Sequence, residues 1–421
     1  MSTEFAGYRR GSSEYRRLLI AMFAAGLATF AQLYSPQPLL PAIAEDLGVS
    51  ADTAALTMSC ATAGLALCTL LWASVADHCG RVRTMTVAVL GATCFGLLTP
   101  WVSHYPLMLL LRTVEGAFLG GVAGLAVAVI VSEAHPSVRA AATGLYISGT
   151  SIGGLAGRII AGPLSEVMSW RLSMFAVSVV GALAAVLFIT LIPASHDRQR
   201  TPGASIGSSG VGSALGFFHK IKGLLTNMQV LALFFAGFAL MGALVSIYNY
   251  IGFKLQAPPY FLSPTLIAFL FLMYLFGTVS SGAASRLTGK HGLKPVFLTS
   301  CLLMAAGILL TLAGPLPVVV LGLAVLTTGF FAAHAIATGW VGLLSLDAKT
   351  QATALYNSFY YTGSALVGWA TGLLYTAAGW SGTALACTGL LLLSALFSAL
   401  ALGKKAGRRY ALSLPWRAAF C

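Results

Sequence analysis

The stretch "RAAATGLY" at residues 139–146 returns as "KTQATALY" at residues 349–356, which is 210 positions later in a chain of 421 residues. A basic residue opens both copies, and Ala, Thr, Leu and Tyr occupy the same four later places. The distance between the copies is close to half of the chain. The repeated phrase therefore indicates that the second half of the protein duplicates the first.

Two further landmarks support this duplication. Trp170 and Trp380 are again 210 residues apart. The stretch "ASVADHCGR" at 73–81 aligns with "GAASRLTGK" at 282–290, with an offset of 209. Three landmarks at nearly one offset make a chance match improbable, so we predict two parallel repeats.

The composition places the repeats in a membrane. Apolar residues make up 58% of the chain and charged residues only 8%, whereas an ordinary soluble domain carries about 25% charged residues. Because a water-facing surface needs more charge than this, most of the surface must face lipid. A helix crosses the hydrocarbon layer in about 20 apolar residues, and such runs recur from Leu18 to Leu402.

Twelve spans are predicted, six in each half. They lie near residues 17–41, 52–75, 83–101, 105–132, 139–165 and 171–193, and near 228–253, 262–285, 294–313, 316–346, 350–377 and 380–402. No small-residue cleavage site follows the first run, so we interpret it as a retained span and not a signal peptide. The predicted fold is an all-α membrane protein with twelve transmembrane helices in two parallel six-helix repeats.

The basic residues predict the orientation, because cytoplasmic loops of membrane proteins carry an excess of Lys and Arg. With the N-terminus inside, twenty of the 24 basic residues fall in cytoplasmic segments. Arg171 and Lys254 fall outside, and Arg112 and Arg158 fall within spans. The net charge of +13 thus reflects topology and not a nucleic-acid partner. We expect a multi-pass protein of the bacterial cytoplasmic (inner) membrane with both termini in the cytoplasm.

The predicted organisation has five parts. They are a cytoplasmic segment 1–16, a six-helix bundle 17–193, a cytoplasmic linker 194–226, a second bundle 227–402 and a basic tail 403–421. Gly and Ser enrichment predicts a flexible linker, and "GFFHKIKGLL" at its end has the pattern of an amphipathic surface helix. The seven cysteines show no metal-ligand spacing, so we expect no metal site and no disulfide framework.

Ionisable residues inside the predicted spans are the leading functional candidates. They are Arg112 and Glu115 in the fourth span, Arg158 in the fifth and His334 in the tenth. A charge at mid-membrane is unfavourable by about 2.5–3.5 kcal/mol on insertion scales. Arg112 and Glu115 share a helix face because they are three residues apart, and Glu115 lies about 5 Å deeper. We predict an Arg–Glu–Arg cluster for proton coupling, with His334 as a second candidate carrier.

A structural interpretation of these residues stays open beside the functional one. The three charges would then form a buried salt bridge that orders the fourth and fifth spans, and His334 would be a hydrogen-bonded packing residue. The repeat assigns Gly322, Val325 and Gly368 to the positions of the three charges. Because the second half folds without them, we favour a functional role.

Polar and aromatic residues of other spans predict a substrate cavity. They are Gln32, Tyr34, Tyr248, Asn249, Asn357, Tyr360 and Tyr361. Each of them could also be a packing residue or part of an interfacial belt. Two six-helix halves around one axis form a transporter architecture, in which rocking exposes a central site to either side.

The loop between the second and third spans resembles a motif of the major facilitator superfamily. "ASVADHCGRVR" matches G-x-x-x-D-R-x-G-R-R at Asp77, Gly80, Arg81 and Arg83, with Ala73 and His78 as departures. "RTVEG" at 112–116 and "GTSIGGLAGR" at 149–158 are similar to its fourth-span and Gly-rich fifth-span motifs. "YSPQPLLP", "YNYIGFKLQAPPY" and "FFAAHAIATGWVG" resemble its YnfM-like efflux transporters, a drug:proton antiporter-like branch.

Gating and packing roles follow from these motifs. Gly80 permits a tight turn, and the lone acid Asp77 could approach the positive N-terminus of the eleventh span and close a cytoplasmic gate. A simple turn is the alternative interpretation. The predicted gate residues are Asp77, Gly80, Arg81, Arg83, Arg139, Arg286, Lys290 and Lys349. The fifth-span residues Gly149, Gly153, Gly154 and Gly157 are interpreted mainly as helix packing positions.

The sequence thus predicts a secondary transporter, best interpreted as a proton-coupled exporter of a small organic compound. No Walker-type phosphate loop and no nucleophile–base set is present, so we expect neither ATP hydrolysis nor enzyme chemistry. The expected partners are a small-molecule substrate, protons and the lipid bilayer, with the proton gradient in place of a cofactor and a monomeric state. The alternatives are an importer or facilitator, and a membrane receptor or scaffold. The resemblance, with no acid in "ATFAQLYSPQ", implies a neutral, zwitterionic or anionic substrate.

Overall fold

A computed structural model describes residues 7–193 and 211–402, and these residues are almost entirely helical. The helices are α1 Ser13–Tyr34, α2 Leu40–Leu47, α3 Ala51–Cys79, α4 Arg81–Leu98, α5 Tyr105–Glu133, α6 Arg139–Val167, α7 Trp170–Leu191, α8 Val211–Thr226, α9 Met228–Gln256, α10 Pro264–Phe269, α11 Tyr274–His291, α12 Leu293–Leu310, α13 Leu316–Leu344 and α14 Lys349–Ala401. Extended pairing within these ranges is limited to an isolated bridge between Tyr8 and Ala134.

The first span is broken where the sequence reads "YSPQP". α1 ends at Tyr34, a 3₁₀ turn covers Gln37–Leu39, and α2 continues to Leu47. Pro36 and Pro38 lack the N–H groups that would continue the helical hydrogen-bond ladder, which explains the interruption. The span therefore extends beyond the predicted end at residue 41, and the last carbonyls of α1 are left for other partners.

Two spans of the second half are also interrupted. α10 and α11 are joined by a 3₁₀ turn over Leu270–Met273, and together they cover the predicted eighth span and extend beyond it to His291. α14 contains the last two spans, which divide at Gly379, where φ is +64°. Only glycine adopts this conformation without strain. The division falls between the predicted spans 350–377 and 380–402.

Ten stretches in the described ranges are long and apolar enough to cross a membrane. One of them, Gln351–Ala401, holds the two spans on either side of Gly379. α6 is not among the ten, because its glycines, hydroxyl residues and Arg158 lower its mean hydropathy. With α6 included, the twelve predicted spans all correspond to helices of the structure, and the predicted fold class is confirmed.

The Gly-rich face of α6 packs directly on α1. A Cβ atom on Gly149, Gly153 or Gly157 would meet the carbonyl oxygen of Phe23, Leu27 or Ala31, respectively. Small residues allow two membrane helices to approach this closely. Gly154 differs, since a Cβ atom there would contact the side chains of Arg158 and Tyr34. The packing interpretation is confirmed for three of the four glycines.

The chain forms two compact units. The first contains Met1–Ala214 together with Gly252–Phe271, and the second contains Leu215–Ile251 and Leu272–Cys421. The segment Gly252–Phe271, which the repeat assigns to the second bundle, packs with the first because α10 lies against α6. The predicted amphipathic stretch is helical within α8. Residues 194–210 of the predicted linker, the basic tail and the first six residues fall outside the described residues.

The turn after the second span corrects the alignment of the repeats. The glycine that follows α3 is Gly80, with φ +87°, and the glycine that follows α11 is Gly292, with φ +86°. The sequence alignment placed Gly289 opposite Gly80, which is wrong by three residues. α11 continues through "GKH" for almost one more turn before the chain reverses.

Candidate functional site

The centre of the candidate site is an ion pair on α5. Arg112 Nη1 donates to Glu115 Oε2 at 2.8 Å, and the two side chains are 0% and 1% exposed. This contact confirms that the two residues share a helix face. Removing one partner of such a pair leaves an uncompensated buried charge, which is strongly destabilising.

Arg112 also binds the C-terminal end of α1. Its Nη2 donates to Leu33 O at 3.0 Å and its Nη1 to Gln32 O at 3.5 Å, while Nε donates to Thr57 O of α3 at 3.1 Å. The two α1 carbonyls are available because the helix stops at Tyr34, and a cation is favoured at a helix C-terminus. The proline-rich interruption of the first span thus creates the acceptors that hold a buried guanidinium.

Glu115 lies beside Gln32, a predicted cavity residue that is 2% exposed. Gln32 Oε1 and Glu115 Oε1 both approach the point where a Cβ atom on Gly96 would stand, the latter at 3.1 Å. Gln32 Nε2 donates to Ala28 O at 3.0 Å, but Oε1 has no hydrogen-bond partner among the described residues. Gly96 leaves room for both oxygens. The site therefore offers an acceptor next to the carboxyl group of Glu115.

Arg158 is held through the turn that follows α1. Its Nε donates to Gln37 Oε1 at 2.8 Å, and its Nη1 donates to Gly154 O at 2.8 Å. The guanidinium lies 4.1 Å from the ring centroid of Tyr34 and 4.7 Å from that of Phe271. Such cation–π contacts stabilise a desolvated cation. The recorded contacts therefore link Arg158 to Gln37 and two rings, and a direct contact with Glu115 stays a prediction.

Gln37 and Phe271 were not predicted as site residues. Gln37 stands between two prolines in "SPQP", and an amide in an apolar span is a signal that sequence reasoning could have used. Phe271 gives no such signal, because it is one of several apolar residues in the eighth span. Its place on Arg158 depends on how the segment Gly252–Phe271 packs within the first unit.

The same segment is attached at its polar end by Glu166, which follows the predicted fifth span. Thr265 N donates to Glu166 Oε1 at 2.7 Å. Hydrogen bonds from Ser263 and Thr265 lower the pKa of the Glu166 carboxyl group below its usual value, because they stabilise the ionised form. Glu166 is exposed, so its contribution is modest.

The second unit contains an aromatic cluster around His334. His334 Nδ1 lies 3.0 Å from Tyr356 Oη. The imidazole stacks on Phe330 with a centroid distance of 5.7 Å and packs on Tyr360 at 4.7 Å. Tyr361 meets Tyr360 edge to face at 5.1 Å. The structure thus brings together three predicted residues and adds Phe330 and Tyr356, which sequence reasoning missed as site residues.

The remaining predicted cavity residues differ in exposure. Tyr34, Tyr248 and Asn249 are buried, and Tyr248 Oη lies 2.9 Å from Thr327 Oγ1. Asn357 is partly exposed, as are Tyr360 and Tyr361. The role of these residues in a substrate cavity stays a prediction.

The predicted gate residues lie at helix ends. Asp77, Arg83, Arg286, Lys290 and Lys349 are exposed. The tight turn at Gly80 is confirmed by its positive φ. Arg81 is partly buried, and so is Arg139, which donates from Nε to Ala134 O at 3.0 Å. The gating role of this set stays a prediction.

Comparison with known proteins assigns the family. A model described as the Major Facilitator Superfamily matches residues 18–286 and 262–415. The chain is 35% identical to the inner membrane transport protein YnfM of Escherichia coli (strain K12), covering 95% of this chain and 93% of that protein. It is 34% identical to the uncharacterised MFS-type transporter YybF of Bacillus subtilis (strain 168), covering 92% and 93%.

A solved structure shows the same fold. The xylose transporter XylE from E. coli, in a partially occluded inward open conformation, superposes with a TM-score of 0.71 at 15% identity, covering 94% of this chain and 99% of that chain. The helical architecture, the family model and the two relatives agree. The chain belongs to the major facilitator superfamily.

Proposed function

We propose that this protein is a proton-coupled exporter of a small neutral, zwitterionic or anionic organic compound, working by alternating access. The observation that carries the proposal is the buried Arg112–Glu115 pair with Gln32 Oε1 beside it, an acceptor that has no hydrogen-bond partner in the described part of the chain. The relatives that are named as transporters support the broader assignment of a membrane transporter.

The surroundings of Glu115 provide a partner for each protonation state. The ionised carboxylate accepts from Arg112 Nη1, and a nearby cation favours the charged form. The protonated carboxyl group would instead donate its O–H to Gln32 Oε1, which otherwise stays buried without a hydrogen bond among the described residues. An unsatisfied buried acceptor is unfavourable. Protonation of Glu115 would therefore give Gln32 Oε1 a hydrogen-bond donor, while it weakens the ion pair with Arg112.

This exchange is the proposed coupling step. Glu115 would load a proton in one open state of the transporter and release it in the other, as water and Arg112 change their distance from it. Each tenfold proton gradient would contribute about 1.4 kcal/mol per proton to uphill export. His334 is the second candidate carrier, since the ordinary pKa of His lies near neutrality.

The proposed substrate class follows from the buried arginines of the first unit and the aromatic rings of the second. Two buried arginines in the first unit disfavour a cationic compound there, and guanidinium groups bind carboxylates in a bidentate manner. The partly exposed rings around His334 favour a compound that carries a planar ring, because aromatic pairs stabilise one another beyond their buried area. Robust transport of quaternary ammonium dyes would contradict this assignment.

Two other functions compete with export. An importer or facilitator would use the same architecture, and the buried ion pair would serve coupling or structure. A receptor or scaffold would bind a compound without moving it. Counterflow of a bound compound between proteoliposome compartments separates transport from binding alone, because only a transporter exchanges labelled compound across the bilayer.

The coupling test uses the variant Glu115→Gln, which keeps the shape and removes the charge. A compound found by a thermal-shift screen would be followed in proteoliposomes with and without a pH gradient. We expect proton-driven accumulation to be lost and exchange at equal pH to survive. Glu133→Gln is the matched control, since Glu133 is also buried on α5 and should leave coupling intact. If the Glu115→Gln variant still accumulates the compound against its gradient, the Arg112–Glu115 pair has a structural role and not a coupling role.

A second readout needs no substrate. Infrared difference spectra recorded between acidic and alkaline buffer detect the carbonyl band of a protonated carboxyl group. We expect one such band to disappear in the Glu115→Gln variant and to shift in Gln32→Leu, which removes the amide acceptor. Spectra that are unchanged in both variants would show that Glu115 does not titrate, and the coupling proposal would then fail.

A further inference from the structure

The second unit contains a cavity that the proposed coupling step does not use. It has a volume of about 770 Å³, within the range of about 300–1,000 Å³ typical of ligand pockets. Its walls come from α11, α12 and α13 and are almost entirely apolar. Val279 and Leu287 line it and are 73% and 46% exposed. The cavity therefore opens on an apolar outer surface of helices that lie in the membrane.

The first unit shows what fills the corresponding space. Trp72 lies eight residues before Gly80, the turn glycine that ends α3. Its Nε1 donates to Ala117 O of α5 at 2.7 Å, and its ring packs against Phe118 with a centroid distance of 5.5 Å. An indole and a phenyl ring thus close the space between the second and fourth spans of the first repeat.

The second repeat lacks both rings. Ala284 lies eight residues before Gly292, the turn glycine that ends α11, and it lines the cavity. α5 and α13 each have 29 residues with proline in second place. Counted from their first residues, Ala117 corresponds to Thr328, which lines the cavity, and Phe118 corresponds to Gly329. The cavity exists because small residues replace a Trp and a Phe on the same backbone plan.

One end of the cavity reaches a cluster of basic residues at the end of α11. His291, the last residue of α11, lines it. Lys290 is the neighbouring residue, Arg286 lies one turn earlier, and all three are exposed. No acidic residue occurs between Arg286 and Lys294. The site therefore combines an apolar trough with a cationic rim at a helix end.

We propose that this cavity binds an anionic phospholipid. One acyl chain would lie between α11, α12 and α13, and the phosphate would contact Lys290 and His291. Lipid tails are as apolar as the cavity wall, so burial of apolar surface adds little. The acyl chain would instead be held by its fit to the cavity and by dispersion contacts that the wall lacks when the cavity is empty. Clusters of basic residues at the cytoplasmic boundary attract anionic headgroups, which supplies the preference for headgroup charge.

The test measures retention of lipids that differ only in their headgroups. The full-length protein would be purified in detergent, incubated with phosphatidylglycerol or phosphatidylcholine carrying identical palmitoyl and oleoyl chains, and examined by native mass spectrometry. We expect phosphatidylglycerol to be retained at least about 10-fold more strongly. The double variant Lys290→Gln/His291→Gln should lower its retention to that of phosphatidylcholine.

Matched variants separate the site from general surface charge. Arg9→Gln/Arg10→Gln removes two exposed basic residues from the first unit and should change neither lipid. Ala284→Trp, which copies the first repeat, should lower retention of both lipids because the indole fills the trough. Thr328→Phe fills it from α13 and covers the case in which Ala284→Trp fails to fold, as judged by monodisperse elution.

Any of three results would overturn the proposal. The first is equal retention of the two lipids by the unaltered protein, even if Ala284→Trp abolishes that retention, because the cavity would then hold an apolar chain without regard to headgroup. The second is unchanged phosphatidylglycerol retention in Lys290→Gln/His291→Gln. The third is retention that falls equally in Arg9→Gln/Arg10→Gln, which would contradict a defined site.

Discussion

The two repeats use one backbone plan for different chemistry. In the first, Arg112 and Glu115 form a buried ion pair on α5, whereas in the second His334 and Tyr356 form a hydrogen bond among aromatic rings. The reason lies in the first helix of each repeat. α1 stops at Tyr34 and leaves carbonyls that accept from Arg112, while α9 runs unbroken from Met228 to Gln256. A buried cation in the second repeat would lack such acceptors.

The comparison extends to the outer surfaces of the repeats. Trp72 fills the space beside α5 in the first repeat, and Ala284 leaves it open in the second. The same helix contacts are thus compatible with a closed or an open surface, because the side chains, and not the backbone, decide whether the space is filled. The two repeats share one backbone arrangement. Differences in their side chains give the first repeat a buried ion pair and the second repeat an aromatic cluster and an open cavity.

The largest expected effect tests the Arg112–Glu115 ion pair of the first repeat. Arg112→Leu leaves Glu115 buried without its cation and should lower the free energy of unfolding by about 3–5 kcal/mol. Chemical unfolding in detergent micelles measures the loss. Arg112→Leu combined with Glu115→Leu should recover most of it, since no unpaired charge remains. A single variant as stable as the unaltered protein would show that the pair does not hold the first repeat together.

A smaller effect is expected for the His334–Tyr356 hydrogen bond of the second repeat. Tyr356→Phe removes the hydroxyl that pairs with His334 Nδ1 and should lower the free energy of unfolding by about 0.5–1.5 kcal/mol. Tyr146→Phe is the matched control, because Tyr146 holds the same place in the repeated phrase and its hydroxyl makes no hydrogen bond to a described residue. Equal losses in the two variants would remove the distinction between the repeats at this position.

The smallest effect concerns Glu166, and its size depends on pH. Hydrogen bonds from Ser263 and Thr265 lower the pKa of Glu166 in the folded state. The stabilisation is therefore present above the usual carboxyl value of 4.5 and is lost as the pH falls through the lower, folded pKa. Melting temperatures of the unaltered protein and Glu166→Gln should differ at neutral pH and converge in acid. A difference that grows with acidity would contradict this assignment.

Sequence reasoning recovered contacts that depend on helical spacing. The pairing of Arg112 with Glu115 follows from a separation of three residues, and the packing of Gly149, Gly153 and Gly157 follows from a separation of four. It missed Gln37 and Phe271 around Arg158, because those contacts join residues that are more than a hundred positions apart in the chain. It also chose Gly289 over Gly292, since similarity between short stretches does not reveal where a helix ends.

The sequence by itself determined the membrane location, the twelve spans, the duplication and the ionisable residues within the spans. Each of these depends on composition or on short-range periodicity, which helical geometry converts directly into structure. Only the tertiary structure decided the partners of Arg112 and Arg158, the attachment of Gly252–Phe271 to the first unit and the open cavity beside Ala284. These features depend on which side chains meet when separate helices pack, and packing register is a property of the whole fold, not of any one stretch.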